Sequence, residues 1–191
     1  MKKLFATILC AVLLILPSDV FAQDWSLSVN VADLADLATV NADVGIAVDR
    51  HWTLNGGVKY NPWTFHRNES NRQIAEQYQN RKLNISAGAR WWPWNVYSGW
   101  WAGSRVQYQA YNRGGLRKRS AEEGDAFGLA FSGGYSIMLN KHINLDFGLG
   151  IWGGYTLYTR YSCPKCGEIL DKGGKWFVLP NEVIVSFSFI F

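Results

Sequence analysis

The chain has 191 residues with a formal net charge of +4, and it is rich in aromatic side chains (15% of residues) and in glycine (19 residues). This length suits one domain, and this composition favours β-strands and bends over helices. A net charge of +4, with only four positive residues clustered, is small for a nucleic-acid-binding surface, so the sequence argues against that class of function.

The first 22 residues have the pattern of a secretory signal peptide. A basic start, MKK, precedes an apolar run from Leu4 to Leu16, and the stretch VFA ends at Ala22 as a small-residue cleavage site. The apolar run is too short to span a membrane. We therefore expect residues 1–22 to be cleaved and residues 23–191 to form one exported domain.

Eight segments alternate apolar with small or polar residues at the period of two that indicates a β-strand. They cover residues 25–31, 40–49, 52–60, 83–91, 100–109, 127–137, 143–151 and 183–191. In the seventh segment, Ile143, Leu145 and Phe147 share one face, and Asn144 and Asp146 share the other. Each segment has about the length that a tilted strand needs to cross a membrane.

The connections between these segments alternate in length. DRH, PWNVYSG and LNKH are short, whereas the connections that contain ADLADLAT, NPWTFHRN, NRGGLRKR and YSCPKCGE are longer. Outer-membrane barrels have short periplasmic turns and long external loops, with both termini in the periplasm. We therefore predict an all-β, eight-stranded antiparallel transmembrane β-barrel in the outer membrane of a Gram-negative bacterium.

A soluble secreted barrel such as a lipocalin is the structural alternative, because it also has eight alternating strands. Its water-facing side would be rich in charged residues. Here the less apolar face carries mostly Gly, Ser, Asn and Ala, which suits the packed interior of a small barrel. Trp and Tyr also cluster near segment ends, as in interfacial aromatic girdles. These patterns favour the membrane barrel.

Five ionisable side chains fall on the face predicted to point inward, namely Asp43, Lys59, Arg90, Arg105 and Asp146. Eight strands leave room only for side chains, and unpaired buried charge is costly. We therefore interpret this set as a salt-bridged plug. An ion-conducting path is the alternative.

The last segment, EVIVSFSFIF, places Phe187, Phe189 and Phe191 on one face. We expect this face to contact lipid and the strand to pair with the first one, so that no edge remains open. Aromatic residues at every second position resemble the signal by which the barrel-assembly machinery recognises its substrates.

The motif CPKCG contains Cys163 and Cys166 in the last long connection. A C-x-x-C knuckle supplies half of a tetrahedral zinc site, and no second Cys or His pair accompanies it. We favour a local disulfide in an oxidising compartment. A metal site completed by a partner or a second copy is the alternative.

The sequence predicts no catalytic residue and no cofactor. Barrel enzymes that modify lipid A or phospholipids combine His with Ser or Asp near the outer rim. Only His66 lies on that side, with Ser70 nearby, whereas His51 and His142 fall in periplasmic turns. A surface histidine explains this pattern better, and lipid modification is kept as the alternative.

A basic cluster marks the third long connection, with Arg113, Arg117, Lys118 and Arg119. A solvated loop is the default interpretation. An external loop of this kind also suits contact with lipopolysaccharide phosphates, because guanidinium groups bind phosphate in charge-assisted pairs.

Five stretches carry a family resemblance. They are DRHWTLNGGVKYNPWTFH (49–66), ARWWPWNVYSGWWAG (89–103), QYQAYNRGG (107–115), FGLGIWGGYTLYTRYSCPKCG (147–167) and LPNEVIVSFSFIF (179–191). The chain resembles a domain-of-unknown-function family of small outer-membrane barrels from Bacteroidales. The resemblance implies a fold and a compartment, without catalytic residues, and a genomic context beside fimbrial subunits and fimbria-anchoring proteins.

We therefore expect a non-enzymatic barrel that acts in surface or fimbrial assembly or anchoring through its external loops. A lipid-modifying enzyme and a structural barrel that binds lipopolysaccharide for envelope integrity are the alternatives. Pro62, Trp63 and Phe65 favour an interfacial anchor where the third strand leaves the membrane. Capping of the barrel mouth and docking of a partner stay open for these three residues.

Overall fold

The computed structural model describes residues 25–66, 77–115, 119–165 and 167–191. The predicted signal peptide (residues 1–22) lies outside these residues. The described part is all-β, with nine strands and one short 3-10 helix (Val31–Ala35). The strands are β1 (Trp25–Asn30), β2 (Val40–Asp49), β3 (Trp52–Asn61), β4 (Thr64–His66), β5 (Gln77–Trp91), β6 (Gly99–Gly114), β7 (Ala121–Met138), β8 (Ile143–Tyr161) and β9 (Ile169–Ile190). No helix in this part of the chain has the length and apolar character needed to cross a membrane.

The strands form one antiparallel sheet that closes on itself. Strands β1 to β3 pair consecutively, as do β4 to β9, and β1 also pairs with β9 and β3 with β5. The three-residue strand β4 pairs with β5 beyond the end of β3, so β3 and β4 occupy one position. The predicted ring of eight antiparallel strands is thereby confirmed.

The strands are staggered around the ring. The stagger is measured by following directly paired residues around the ring from Asp43 until both routes reach β9. The short route, through β1, reaches Ser188. The long route, through β3, β5, β6, β7 and β8, reaches Phe177. These two residues are eleven positions apart on β9 (188 minus 177), and one intervening residue is bulged opposite Gly150 and Ile151. A stagger of about ten residues over eight strands corresponds to a strand tilt of about 40°.

The interior of the ring is polar and its outside is apolar. Among the described residues, nineteen polar or charged residues are buried, against ten hydrophobic ones. Along β9, Ser186 and Ser188 are buried, whereas Phe187 and Phe189 are about half exposed at 51% and 50%. The alternation that forms each strand therefore turns its small polar side inward.

The two ends of the ring differ. At one end, the turn end, the connections 50–51, 92–98 and 139–142 are short. At the other end, the loop end, β8 and β9 extend to Tyr161 and Ile169 and make a tall wall. Opposite them, β1 ends at Asn30 and β2 begins at Val40, so the wall is low and continues as the segment 31–39.

Several strands extend further at the loop end than the sequence predicts. β6 continues to Gly114, β7 begins at Ala121, β8 continues to Tyr161 and β9 begins at Ile169. Much of the two connections predicted as long loops, including Arg113, is therefore strand. Pairing continues there through charged partners such as Arg113 with Glu122 and Arg160 with Asp171. The extensions escape prediction because their apolar alternation is interrupted: β7 adds Glu122 and Glu123, whereas β9 is apolar on both faces from Trp176 to Leu179.

Candidate functional site

The structure brings the predicted interior charges together as ion pairs. Arg105 donates to Asp43 at 2.6 Å, and Arg90 lies 3.8 Å from Asp146. Ser188 also donates to Asp146, over 2.7 Å. Each buried cation therefore lies beside a carboxylate, which offsets the cost of removing both charges from water.

Lys59 pairs with two carboxylates that the sequence analysis missed. Its Nζ lies 3.0 Å from Asp33 and 3.2 Å from Glu182. Glu182 begins the quoted segment EVIVSFSFIF and shares the inward phase of Ile184, Ser186 and Ser188, so its alternation with Val183 could have identified it. Asp33 lies in the 3-10 helix, and no strand periodicity could have predicted its position.

An aromatic cluster closes the ring at the turn end. Trp92, Tyr97 and Trp101 are buried together with Ile184 and Ile190. The turn that carries Tyr97 folds inward, and Tyr97 adopts a left-handed φ of 63°. The guanidinium of Arg90 lies 4.3 Å from the ring of Trp101, which adds a cation–π contact to its ion pair.

The centre of the ring is nearly filled. A cavity of about 30 Å³ lies among Lys59, Arg90, Arg105 and Glu182. This volume holds about one water molecule. The described interior is thus a packed ionic core, in agreement with the interpretation as a salt-bridged plug.

A second charged cluster lies at the loop end, on the inner side of the tall wall. Glu122 pairs with Arg113 at 3.0 Å, with Arg160 at 3.2 Å and with Lys175 at 3.3 Å. The Tyr111 hydroxyl donates to the same carboxylate at 3.1 Å. We call these five residues the Glu122 cluster.

The Glu122 cluster keeps its carboxylate ionised. Partial burial raises the pKa of Glu122. Hydrogen bonds from Arg160 and Arg113 and the charge of Lys175 outweigh this effect and lower the pKa to about 2. Three cations share this one carboxylate, so the cluster carries an excess of positive charge. Their side chains are 40–52% exposed, which leaves them accessible to a ligand.

Beneath the Glu122 cluster lies a cavity of about 170 Å³, the mouth cavity. Its apolar part consists of Ala126, Trp152, Phe177 and Leu179, and its cationic part consists of Lys82, Arg113 and Lys175. Tyr111, Trp152 and Phe177 belong to one packed cluster, in which the Trp152 and Phe177 rings meet edge to face at 4.7 Å. The cavity therefore combines an apolar floor with a basic rim.

The segment 31–39 bounds the mouth cavity on the low side of the ring. Asp36 lines the cavity and pairs with Lys82 and Asn80 of β5. The Asn61 side chain donates to the carbonyls of Asp36 at 3.2 Å and Leu37 at 2.9 Å. The segment is thus fixed to the rim by hydrogen bonds.

The predicted aromatic group near Pro62 has two different roles. The Trp63 indole donates to the Ala38 carbonyl at 3.0 Å, which also fixes the segment 31–39. Phe65 stacks on Tyr78 at 5.4 Å between β4 and β5. Pro62 lies between β3 and β4, where the two paired stretches are interrupted.

The strand β9 has a free edge on the tall wall. From Ser186 to Ile190 it pairs with β1, and the Asn30 side chain continues this contact to the backbone of Val183 and Val185. From Ile169 to Glu182, no strand in the described ranges pairs with β9 on the side opposite β8. We call residues Ile169–Glu182 the free edge of β9.

Only part of the predicted basic cluster can be placed. Arg113 belongs to the Glu122 cluster and Arg119 follows β6 in the connection to β7, whereas Arg117 and Lys118 lie outside the described residues. The basic cluster as a whole therefore stays a prediction. His66 is exposed at the end of β4, and Ser70 also lies outside the described residues.

Cys163 is disulfide-bonded, and Cys166, its predicted partner, lies outside the described residues. Within the described ranges, no group of three or more His, Cys, Asp or Glu residues could hold a metal ion. The disulfide at Cys163 agrees with the favoured interpretation of CPKCG, and its pairing with Cys166 stays a prediction.

The terminal phenylalanines lie on the outside of the ring. Phe187, Phe189 and Phe191 are exposed, and the Phe189 and Phe191 rings are 6.1 Å apart. The backbones of Phe191 and Trp25 exchange two hydrogen bonds of 3.0 Å, which closes the seam between β9 and β1.

A comparison with known families gives one match. The family model described as "Protein of unknown function (DUF3575)" matches residues 6–191. No curated protein and no solved structure matches the chain significantly.

Proposed function

The chain belongs to the DUF3575 family of proteins of unknown function, and we propose its role from the geometry. It is an outer-membrane β-barrel without enzymatic activity, and it docks a partner protein of the cell surface on the free edge of β9. The resemblance seen in the sequence suggests a component of fimbrial assembly or anchoring as this partner. One observation carries the proposal, namely a long free strand edge that rises above an apolar outer surface.

The outer surface supports membrane insertion. On β7, outward side chains from Phe127 to Ile137 are apolar, and at a tilt of about 40° they cover about 25 Å, the height of the apolar band of outer-membrane barrels. Beyond Phe127 the same face continues with Asp125 and Glu123, at the level expected for lipid head groups. Trp52, Trp91 and Trp100 are exposed near the turn end, like the aromatic girdle at a membrane interface.

The packed interior favours a docking role over transport. The ion pairs of Arg105, Arg90 and Lys59 and the aromatic cluster around Trp92 fill the space between the two ends of the ring. Small barrels of eight strands are filled by side chains in this way. The surfaces that remain accessible to a protein partner are therefore at the loop end.

The free edge of β9 has the chemistry that an added strand requires. The backbone N–H and C=O groups of Val183 and Val185 point toward β1, where the Asn30 side chain binds them. Along one strand, residues whose side chains face outward direct their backbone groups toward the same neighbouring position. By this alternation, Lys172, Gly174, Trp176 and Val178 direct their backbone groups away from β8. An extended peptide can pair with such an edge by β-augmentation.

The docking proposal is tested by in-cell photo-crosslinking from position 176, whose native Trp is 81% exposed. The matched control carries the crosslinker at position 155, which pairs with Trp176 on β8 and faces the same side without reaching the edge. We expect one specific surface-protein adduct, identified by mass spectrometry, from position 176 and little from position 155. Adducts to lipid alone, to a second copy, or equally from both positions would contradict the proposal.

A proline at the edge provides the second arm of this test. Lys172→Pro removes a backbone N–H from the free edge without removing one from the β8–β9 ladder. We expect it to lower the adduct yield from position 176 about fivefold, as for the loss of one hydrogen bond, while Lys172→Ala leaves the yield unchanged. Heat-modifiable gel migration serves as the folding control for both variants. Equal yields from the two folded variants would argue against strand addition.

A further inference from the structure

The mouth cavity lies beside the lowest part of the wall of the ring. β1 ends at Asn30, so beside the free edge of β9 the wall is formed only by the segment 31–39. Leu179 is in the inward phase, paired with the buried Trp152, and yet it is 43% exposed. An inward residue with this exposure indicates a gap in the wall at its position.

The height of this gap matches the outer part of the apolar band. Leu179 adjoins the outward residues Val178 and Trp176, which are exposed at 75% and 81%. The Glu122 cluster, further along the same strands, reaches the level of the polar extensions. From the apolar band toward the loop end, the apolar floor therefore comes first and the cationic rim second. A lipid chain and its anionic head group have the same order.

We propose that the mouth cavity binds an amphiphile that has an alkyl chain and an anionic head group, with the chain on Trp152, Phe177 and Leu179 and the head group at Arg113 and Lys175. Two features of the cavity select this ligand class. The floor is apolar, and three cations, Lys82, Arg113 and Lys175, line the cavity with one carboxylate, Asp36, which pairs with Lys82. Arg113 and Lys175 share their nearest carboxylate, Glu122, with Arg160. An anionic head group matches the excess charge through charge-assisted hydrogen bonds.

The size of the cavity limits how much of the ligand enters. About 170 Å³ corresponds to about five or six groups of the size of water. We therefore infer that one end of a chain enters through the side gap, while the rest of a longer chain stays outside. The route of entry depends on the proposed membrane insertion, whereas binding itself does not.

The test is a titration of the refolded full chain with octyl phosphate, followed by calorimetry. Inorganic phosphate and 1-octanol, which each have half of the proposed chemistry, should bind at least tenfold more weakly. Lys175→Gln should raise the Kd for octyl phosphate about tenfold, as expected for loss of a charged hydrogen-bond donor. Lys172→Gln is the matched control, because Lys172 lies three residues away on the opposite face of β9.

A second variant tests the apolar floor. Ala126 is buried and lines the cavity, so Ala126→Leu should fill it and weaken octyl phosphate binding without changing the rim charges. Equal Kd values for Lys175→Gln and Lys172→Gln, or inorganic phosphate binding as tightly as octyl phosphate, would overturn the proposal. So would an unchanged Kd in a folded Ala126→Leu variant.

Native mass spectrometry of protein extracted from cells distinguishes the ligand sources. An adduct with the mass of a phosphate-bearing membrane lipid supports recruitment from the bilayer, and a fatty-acid adduct supports a free amphiphile. Protein that carries no adduct and also fails to bind octyl phosphate overturns the proposal. Heat-modifiable migration and membrane fractionation are measured separately, so failure of ligand binding is distinguishable from failure of the proposed barrel.

Discussion

Glu122 is the residue on which the charges of the loop end depend. Among the described residues it is the carboxylate that forms ion pairs with all of Arg113, Arg160 and Lys175, and its own side chain is only 12% exposed. If Glu122 is neutralised, three cations on neighbouring strands lose their shared counter-charge. The stability of this end should therefore depend on the ionisation of one group.

Acid titration of Glu122 gives a test with a definite sign. The pKa of Glu122 is lowered to about 2 from its ordinary value of 4.5. A lowered pKa means that its contribution to stability is complete above about pH 5 and is lost as the pH falls toward 2. We expect Glu122→Gln to lower Tm at pH 7 by about 3 °C, as for about 1 kcal/mol in a domain of this size.

The same variant should match the wild type at pH 2, where Glu122 itself is substantially protonated. Thermal unfolding in detergent, followed by circular dichroism at both pH values, measures the two differences. Glu123→Gln serves as the control, because Glu123 faces outward on the adjacent position of β7. A Tm difference between Glu122→Gln and wild type that persists unchanged at pH 2 would disprove this role.

At the scale of elements, sequence periodicity predicted the strands well where one face alone is apolar and failed where this alternation is interrupted. The ring of eight strands follows from apolar alternation, as in β9 with Val183, Val185 and Phe187. The strand extensions at Arg113 and Arg160 are held by cross-strand charge pairs, which have no periodic signal. The Glu122 cluster, the mouth cavity and the free edge all lie in these extensions, so the candidate sites were the least predictable part of the chain.

The segment 31–39 is an element whose conformation depends on its neighbours. Leu37 and Ala38 adopt left-handed φ angles of 51° and 58°, which are unfavourable for residues with a Cβ. Asn61 fixes them through the Asp36 and Leu37 carbonyls, and Trp63 does so through the Ala38 carbonyl. The low wall of the ring is therefore maintained by side chains of the β3–β4 region.

We expect Asn61→Ala to loosen the segment 31–39 and to cost about 1–3 kcal/mol, because buried carbonyls lose their donor. Hydrogen exchange at the Ala38 amide, which bonds to Leu34, should become faster. Asn84→Ala is the control, because Asn84 is equally buried but bonds to Gln109, away from this segment. Unchanged exchange at Ala38 in Asn61→Ala would show that Asn61 does not hold the segment.

At the scale of the whole molecule, the side chains are distributed in reverse of a water-soluble domain. The charged and amide groups are inside, where they pair, and the large apolar side chains are outside. In water this surface would drive aggregation, because it far exceeds the apolar patches that monomeric soluble proteins expose. This distribution supports the membrane insertion that we propose.

A depth series of arginine substitutions tests this arrangement. Phe131 lies near the middle of the outward apolar series of β7, and Phe127 lies near its end. Relative to alanine, arginine at position 131 should cost about 2–4 kcal/mol in a bilayer, and at position 127 about 0–1 kcal/mol. Unfolding titrations in lipid vesicles measure both costs. Equal costs at the two positions would contradict membrane insertion at the proposed depth.

The backbone hydrogen bonds between Trp25 and Phe191 have a consequence for the order of events in folding. They join residues that are far apart in sequence, so the seam between β1 and β9 cannot form until both strands are available. Contacts of such long sequence separation form slowly, because the entropy of closing the chain is lost before pairing compensates it. Until then β1 and β9 are unpaired edges, and the nascent chain needs protection from aggregation for as long as this one seam stays open.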